Sequence, residues 1–268
     1  MNSNLLRWLS ISLFLILIYS SFLSASYLTS APDQITVGSG ALAPIVTGLI
    51  ALVSIGLALR NAKSEVRRSW QTLFVGIGMW VLADLIWGAQ EIWGLTQEVY
   101  FSFADLLWIG GYLPIGLSIW YYLPGLGSLT RDLRKLVVLV VVCLLPLVVF
   151  GLQLGSLLNS PELQENGPIA LLPAVYPILD AFLAGGGLLI AIYSRQQTSR
   201  WPWLFIGGAL VLWAYSDILF AVATLNDLYT NTVPIRLIVD LTYTLAYLIL
   251  AVGAVLSIQS DILSFSDE

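Results

Sequence analysis

Residues 70–94 read WQTLFVGIGMWVLADLIWGAQEIWG, and residues 101–122 read FSFADLLWIGGYLPIGLSIWYY. Each run is apolar and long enough to cross a bilayer, which takes roughly 20 residues. Each also carries an aspartate inside the apolar run, Asp84 and Asp105. The pair recurs further along the chain. A shift of 133 residues carries Trp70, Trp80 and Asp84 onto Trp203, Trp213 and Asp217, and Pro44 onto Pro177. A shift of 135 carries Asp105-Leu106, Tyr112 and Leu113 onto Asp240-Leu241, Tyr247 and Leu248, with Trp108 over Tyr243. One carboxylate in a spanning helix is an isolated oddity. Two pairs at corresponding places in two halves point to a site.

Composition agrees with a membrane chain. The 268 residues are 58% hydrophobic and only 10% charged, with a mean hydropathy of +0.88, whereas charged residues make up about a quarter of an ordinary soluble chain. There is no basic patch for nucleic acid. The single cysteine, Cys143, excludes an intrachain disulfide framework and a paired-cysteine metal or redox motif, and it reads as a small apolar residue. Histidine is absent, and with it the commonest metal ligand and general base. No cofactor is expected.

The expected fold class is all-α: a polytopic integral membrane protein with eight transmembrane helices arranged as two parallel four-helix repeats. The apolar segments fall near 5–28, 41–60, 70–93, 102–123, 135–157, 169–193, 202–225 and 234–258. Residues 1–125 then form the first repeat, 126–134 a cytoplasmic linker, 135–258 the second repeat and 259–268 a short cytoplasmic tail. Of the 11 basic residues, Arg7, Arg60, Lys63, Arg67, Arg68, Arg131, Arg134, Lys135, Arg195 and Arg200 fall on one side, with Arg236 opposite. The positive-inside rule makes that side cytoplasmic, so both termini are expected inside. Asp33, Glu98, Glu162, Glu165 and Asp227 lie in the outer loops. Arg7, an apolar run and Ser24-Ala25-Ser26 also fit a cleavable signal. A retained helix is favoured because the repeat needs a partner for segment five. Four spans per unit, an even number, make the halves parallel copies about an axis along the membrane normal. Gly76, Gly78, Gly110-Gly111, Gly185-Gly186-Gly187 and Gly207-Gly208 read as points of close helix approach.

Helical spacing sorts the candidate site. Trp80, Asp84, Trp87 and Glu91 share one face, as do Asp105, Trp108 and Tyr112. The second copy offers Trp213, Asp217 and Phe220 on one helix and Asp240, Tyr243 and Tyr247 on the next. Asp180 adds a fifth acid where the first copy has Thr47, and Arg236 stands one turn before Asp240, placed to pair with it. A carboxylate at this depth costs about 2.5–3.5 kcal/mol on insertion scales. Three things relieve it: protonation, a hydrogen bond from a Trp or Tyr on a facing helix, or a cation held with help from aromatic faces. The motifs of intramembrane aspartyl proteases (GxGD), zinc hydrolases (HExxH), serine hydrolases (GxSxG) and diphosphate enzymes (DxxxD) are missing, as is a phosphate-cradling glycine loop. No enzyme is expected.

The pattern SFADLLWIGGYLPIGL, after a span ending ADLIW, resembles the multi-pass membrane sensor regions found ahead of bacterial GGDEF and EAL domains or histidine kinases. YPILDAFLAGGGLLI and RLIVDLTYTLAYLILAVGA carry the same likeness, over roughly residues 40–258. The resemblance implies a sensor in the bacterial plasma (inner) membrane. It departs from that family by ending at SDILSFSDE with no output domain, so a separate cytoplasmic or membrane signalling partner is expected. The function expected is a membrane-embedded sensor or binding module with an outward-facing acidic-aromatic cavity for a small cationic ligand or protons. The alternative is a small proton- or cation-coupled transporter. A retinal protein does not fit, because Lys63 and Lys135 lie at helix ends.

Overall fold

A computed structural model describes residues 18–22, 24, 25, 27, 33–93, 102–123, 133–158, 163, 167, 172–194, 200–226 and 228–264. Among them there is no strand. The helices are α1 (Asp33–Asn61), α2 (Ser64–Ile92), α3 (Phe103–Tyr122), α4 (Leu133–Leu158), α5 (Leu172–Ser194), α6 (Arg200–Leu225), the single turn α7 (Leu228–Asn231) and α8 (Val233–Ser264). Hydrocarbon offers no partner to a backbone amide, so a spanning segment must close its own hydrogen bonds, and the helix does this.

Six helical stretches among the described residues are long and apolar enough to cross a membrane: Gly40–Asn61, Val66–Ile92, Phe103–Tyr122, Val175–Ser194, Arg200–Thr224 and Val233–Ile258. They match six of the eight expected spans. Most of the expected span 5–28 lies outside the described residues. So do Arg7, Glu98, Arg131, Glu162, Glu165, Arg195 and Asp227. The expected span 135–157 falls in α4, whose described apolar part, Pro146–Ser156, is too short to count as a span. The last candidate span ends at Ile258, and helical structure runs on past it into the expected tail. Residues 133–134 already belong to α4, and α8 continues to Ser264.

The six helices close a ring. Helix α1 packs on α2, α2 on α3, α3 on α5, α5 on α6, α6 on α8, and α8 returns to α1, while α4 lies outside against α5 and α6. Large aliphatic and aromatic side chains point away from the ring, with Phe182 76% and Leu113 71% exposed. In water such a surface would be a liability. In lipid it is the expected outer face.

Aromatic side chains fill the centre. Trp70 meets Trp203 with ring centroids 5.2 Å apart, and Trp80 meets Trp213 edge-on at 5.2 Å. Tyr122 stacks on Trp203 at 3.7 Å. The backbones come close where the side chain is only hydrogen. A Cβ built on Gly187 would lie 2.5 Å from the Gly207 carbonyl, bringing α5 and α6 together. Helix α5 runs unbroken through Gly185-Gly186-Gly187, so tight packing, and not a break, accounts for that run. Pro44, Pro114, Pro146 and Pro177 sit inside helices, as spanning helices tolerate.

Helices α2 and α3 meet the same way. A Cβ on Gly111 would fall 2.5 Å from Trp80 Cδ1 and Nε1, and one on Gly76 would fall 2.5 Å from Ile115 Cγ1. Gly111→Ala is therefore expected to lower stability by about 1–3 kcal/mol, the range for overpacking a filled interior. Gly116→Ala, which meets nothing within 4 Å, serves as the neutral control. Thermal unfolding of the two purified variants in detergent checks the difference.

Candidate functional site

At 1.5 Å per residue, Asp84 lies about 12 Å along the axis from the Ile92 end of α2. It is 4% exposed. Three donors converge on it from two other helices. Trp108 Nε1 of α3 donates to Oδ1 at 3.1 Å, Tyr243 of α8 donates to Oδ1 at 3.1 Å, and Tyr247 of α8 donates to Oδ2 at 2.7 Å. Trp80, one turn away, donates its indole N–H to the Trp108 carbonyl at 2.8 Å and so fixes the backbone that aims Trp108. Both oxygens of this carboxylate are occupied, and it ties α2 to α3 and α8.

The repeat-related aspartate is held differently. Asp217 on α6 accepts no hydrogen bond among the described residues, although it feels the charge of Asp84 and acts on that of Asp180. Asp180 on α5 is 1% exposed. Its Oδ1 accepts from Tyr112 at 2.6 Å, and its Oδ2 is buried with no partner. Trp213, four residues before Asp217, is fully buried, and its indole N–H also has no partner. Its ring packs edge-on against Tyr247 at 4.6 Å and against Trp80.

The other two expected acids serve different places. Asp105 caps α3: its Oδ2 accepts from the Ser102 backbone N–H at 2.8 Å while Ser102 Oγ accepts from Ala104 N–H, a reciprocal capping box. Its Oδ1 accepts from Tyr176 of α5 at 2.8 Å. Asp240 belongs to a polar knot with Arg236, Glu91, Tyr27 and Tyr229. Tyr229 donates to Oδ1 at 2.8 Å, Tyr27 donates to Oδ2, and Arg236 Nε stands 3.9 Å away. The closer partner of Arg236 is Glu91, at 3.0 Å.

The structure thus brings Asp84, Asp180 and Asp217 together, with Trp80, Trp108, Tyr112, Trp213, Tyr243 and Tyr247 around them. It sets Arg236 and Asp240 apart, and among the described residues links Asp105 to the core through Tyr176, whose hydroxyl also feels Asp180 and Asp217. Trp87 packs beside Trp108 at 5.8 Å. Phe220 turns away from the site to meet Tyr229 and is 43% exposed. A groove lined by Trp201, Leu204, Phe205, Gly208, Leu212 and Tyr215 lies elsewhere on α6 and holds none of the acids. Tyr176, Tyr27, Tyr229 and the Glu91–Arg236 pair were not expected as site contacts from the sequence. Tyr176 stands four residues before Asp180, one turn away on the same face, a spacing that could have revealed it. Among the described residues, no group of three or more acids or cysteines is arranged to hold a metal ion.

No family model, curated protein or solved structure matches the chain. Fold and site rest on its own residues.

Two outcomes follow from the contacts. Tyr247→Phe removes the shortest donor to a buried carboxylate and is expected to cost about 1.5–3 kcal/mol, as for hydrogen bonds to charged groups. Tyr243→Phe should cost less, since Trp108 shares the same oxygen; unfolding of the purified variants orders them. Arg236→Met strands Glu91, so it should destabilise more than the double change Arg236→Met with Glu91→Met, which removes both charges. A thermodynamic cycle over the four proteins measures that difference.

Proposed function

We propose that this chain is a membrane-embedded sensor or binding module, and not an enzyme, whose acidic-aromatic site takes protons or a small cationic ligand and signals through a separate partner. The observation that carries the reading is an imbalance of charge. Asp84, Asp180 and Asp217 come from three helices, and Asp217 links them, feeling the charge of Asp84 and acting on Asp180. The described membrane-embedded arginine nearest by sequence, Arg236, is engaged by Glu91 and Asp240 instead. Uncompensated carboxylates among packed aromatic rings attract a positive charge.

The site sits between two parallel repeats in an eight-span chain of the bacterial plasma membrane, with both termini cytoplasmic. Support for the repeat comes from residues one repeat apart that face each other: Trp70 with Trp203, Trp80 with Trp213, and Asp84 with Asp217. A two-fold axis along the membrane normal generates such self-pairs. The ring order supports it too, because the α3–α5 contact exchanges with the α8–α1 contact under the same rotation. That order also suits a second reading, a small proton- or cation-coupled transporter, since parallel repeats rocking about a central site give alternating access. Solute movement into sealed proteoliposomes marks the transporter; binding without flux marks the sensor.

Thermal melting of the purified protein against a panel of amines and metal ions, at two pH values, tests the site. A ligand present at a hundred times its Kd stabilises by about 2.7 kcal/mol. Stabilisation is expected in the wild type and lost in Asp217→Asn, whose carboxylate has no internal donor. No shift with pH or any cation, or equal shifts in both proteins, overturns the reading. For the topology, a reporter active only in the periplasm and fused to the C-terminus is expected to give no signal.

A further inference from the structure

Counting donors against acceptors in the acidic core isolates what is missing. The donors are Trp108 N–H and the hydroxyls of Tyr112, Tyr176, Tyr243 and Tyr247, and each has an acid: Asp84 takes three, Asp105 one and Asp180 one. Asp180 Oδ2 is buried and left over, and the half-buried Asp217 carboxylate accepts no hydrogen bond among the described residues. The missing group is a donor. Across the repeat the reason is visible. Tyr247 donates to Asp84, whereas its counterpart Tyr112 donates to Asp180 and leaves Asp217 bare. Thr47, which stands where α5 has Asp180, turns its hydroxyl to the Ala43 carbonyl at 2.8 Å. The second half therefore has one acid more, and Asp180 and Asp217 together receive one donor where Asp84 receives three. A second group also lacks a partner: the buried Trp213 N–H, one turn from Asp217, needs an acceptor.

We propose that Asp180 and Asp217 form a proton-binding pair that holds one exchangeable proton together with a water molecule, beside a structural Asp84. This names the ligand of the site proposed above and rests on that reading. Two carboxylates of like charge in a medium of low dielectric hold one proton between them more readily than none. A neutral water molecule beside the protonated pair donates to the carboxylate that lacks a donor and accepts from the indole N–H that lacks an acceptor. Room also favours the proton over a larger cation, since Trp80, Trp213 and Tyr247 are packed ring to ring at 4.6–5.2 Å. Loading forms an O–H bond on one carboxylate, with the proton drawn from the aqueous phase, and the pair falls from two negative charges to one.

The groups facing the pair are known for each element packed around it. They are Asp84 from α2, Tyr112 from α3, Tyr176 beside Asp180 on α5 and Tyr243 from α8, with Trp80 and Tyr247 packed on the neighbouring Trp213. On the outer side, Cys143 of α4 donates to the Ala181 carbonyl at 3.3 Å. None of these is basic. The pair borders the α3–α5 contact, which two tyrosine–aspartate bonds bridge, Tyr112 to Asp180 and Tyr176 to Asp105. Protonating Asp180 turns the first from a charge-assisted bond into a weaker neutral one, so loading the site loosens that contact.

Infrared difference spectroscopy of the purified protein, titrated with acid in ordinary and heavy water, reads the carboxyl groups directly. Expected is a carboxylic C=O band that grows as pH falls, shifts in heavy water, is lost in Asp217→Asn and in Asp180→Asn, and persists in Asp84→Asn. The wild-type titration needs no variant: absence of any such band overturns the proposal even if a variant fails to fold. Persistence of the band in both Asp180→Asn and Asp217→Asn also overturns it. The melting experiment separates the two ideas. Stabilisation by an amine or metal ion without a titrating band refutes the proton pair and leaves the cation-binding reading standing, whereas neither signal removes both.

Discussion

A carboxylate inside an apolar helix must be met by donors from within the bundle, and Asp84 is met by three. That constraint organises the centre of the ring. The donors come from α3, which packs beside α2, and from α8, whose tyrosines reach Asp84 across the centre of the ring, so one side chain ties α2 to both. The network then spreads outward. Trp108 is held through its carbonyl by Trp80, Trp80 packs on Trp213, and Trp213 packs on Tyr247, which returns to Asp84. In a low dielectric such closed circuits are strong when complete and costly when one member is lost.

The same rule produces a second polar centre with a different solution. Around Arg236, Glu91 and Asp240 the charges are of both signs and are joined by Tyr27 and Tyr229, so attraction and hydrogen bonding act together. Asp105 follows a third course and closes the first turn of its own helix with Ser102. Three acids at similar places in the sequence thus have three local explanations. Asp217, which accepts no hydrogen bond among the described residues, and Asp180, satisfied at one oxygen only, have none.

Packing and chemistry are not independent here. Glycines at the α2–α3 and α5–α6 contacts let the backbones approach, and the space that remains is filled by aromatic rings. Rings at these separations leave the hydroxyls of tyrosine and the N–H of tryptophan as the available donors. The bundle interior is therefore rich in donors that carry no charge. They satisfy a carboxylate without bringing a positive charge to it.

Much of this was legible from the chain. The length and apolarity of the spans, the absence of strands among the described residues, and the placing of Trp80, Asp84, Trp213 and Tyr247 on buried faces all follow from local properties: hydropathy, the helical repeat and the cost of a charge in hydrocarbon. Which acids share a space did not follow. Asp105 and Asp240 match each other in sequence, yet one caps a helix and the other joins an ion pair, because their surroundings come from Ser102 and Tyr176 in one case and from Tyr27, Glu91 and Arg236 in the other. Those partners stand up to 213 residues away along the chain, and helical periodicity says which face a residue occupies but not which helix lies opposite. Equal sequence positions gave Asp84 and Asp217 equal standing. Only the packing of α5 against α3 gave Tyr112 to Asp180 and left Asp217 without a donor, because a hydroxyl can serve one acid at a time.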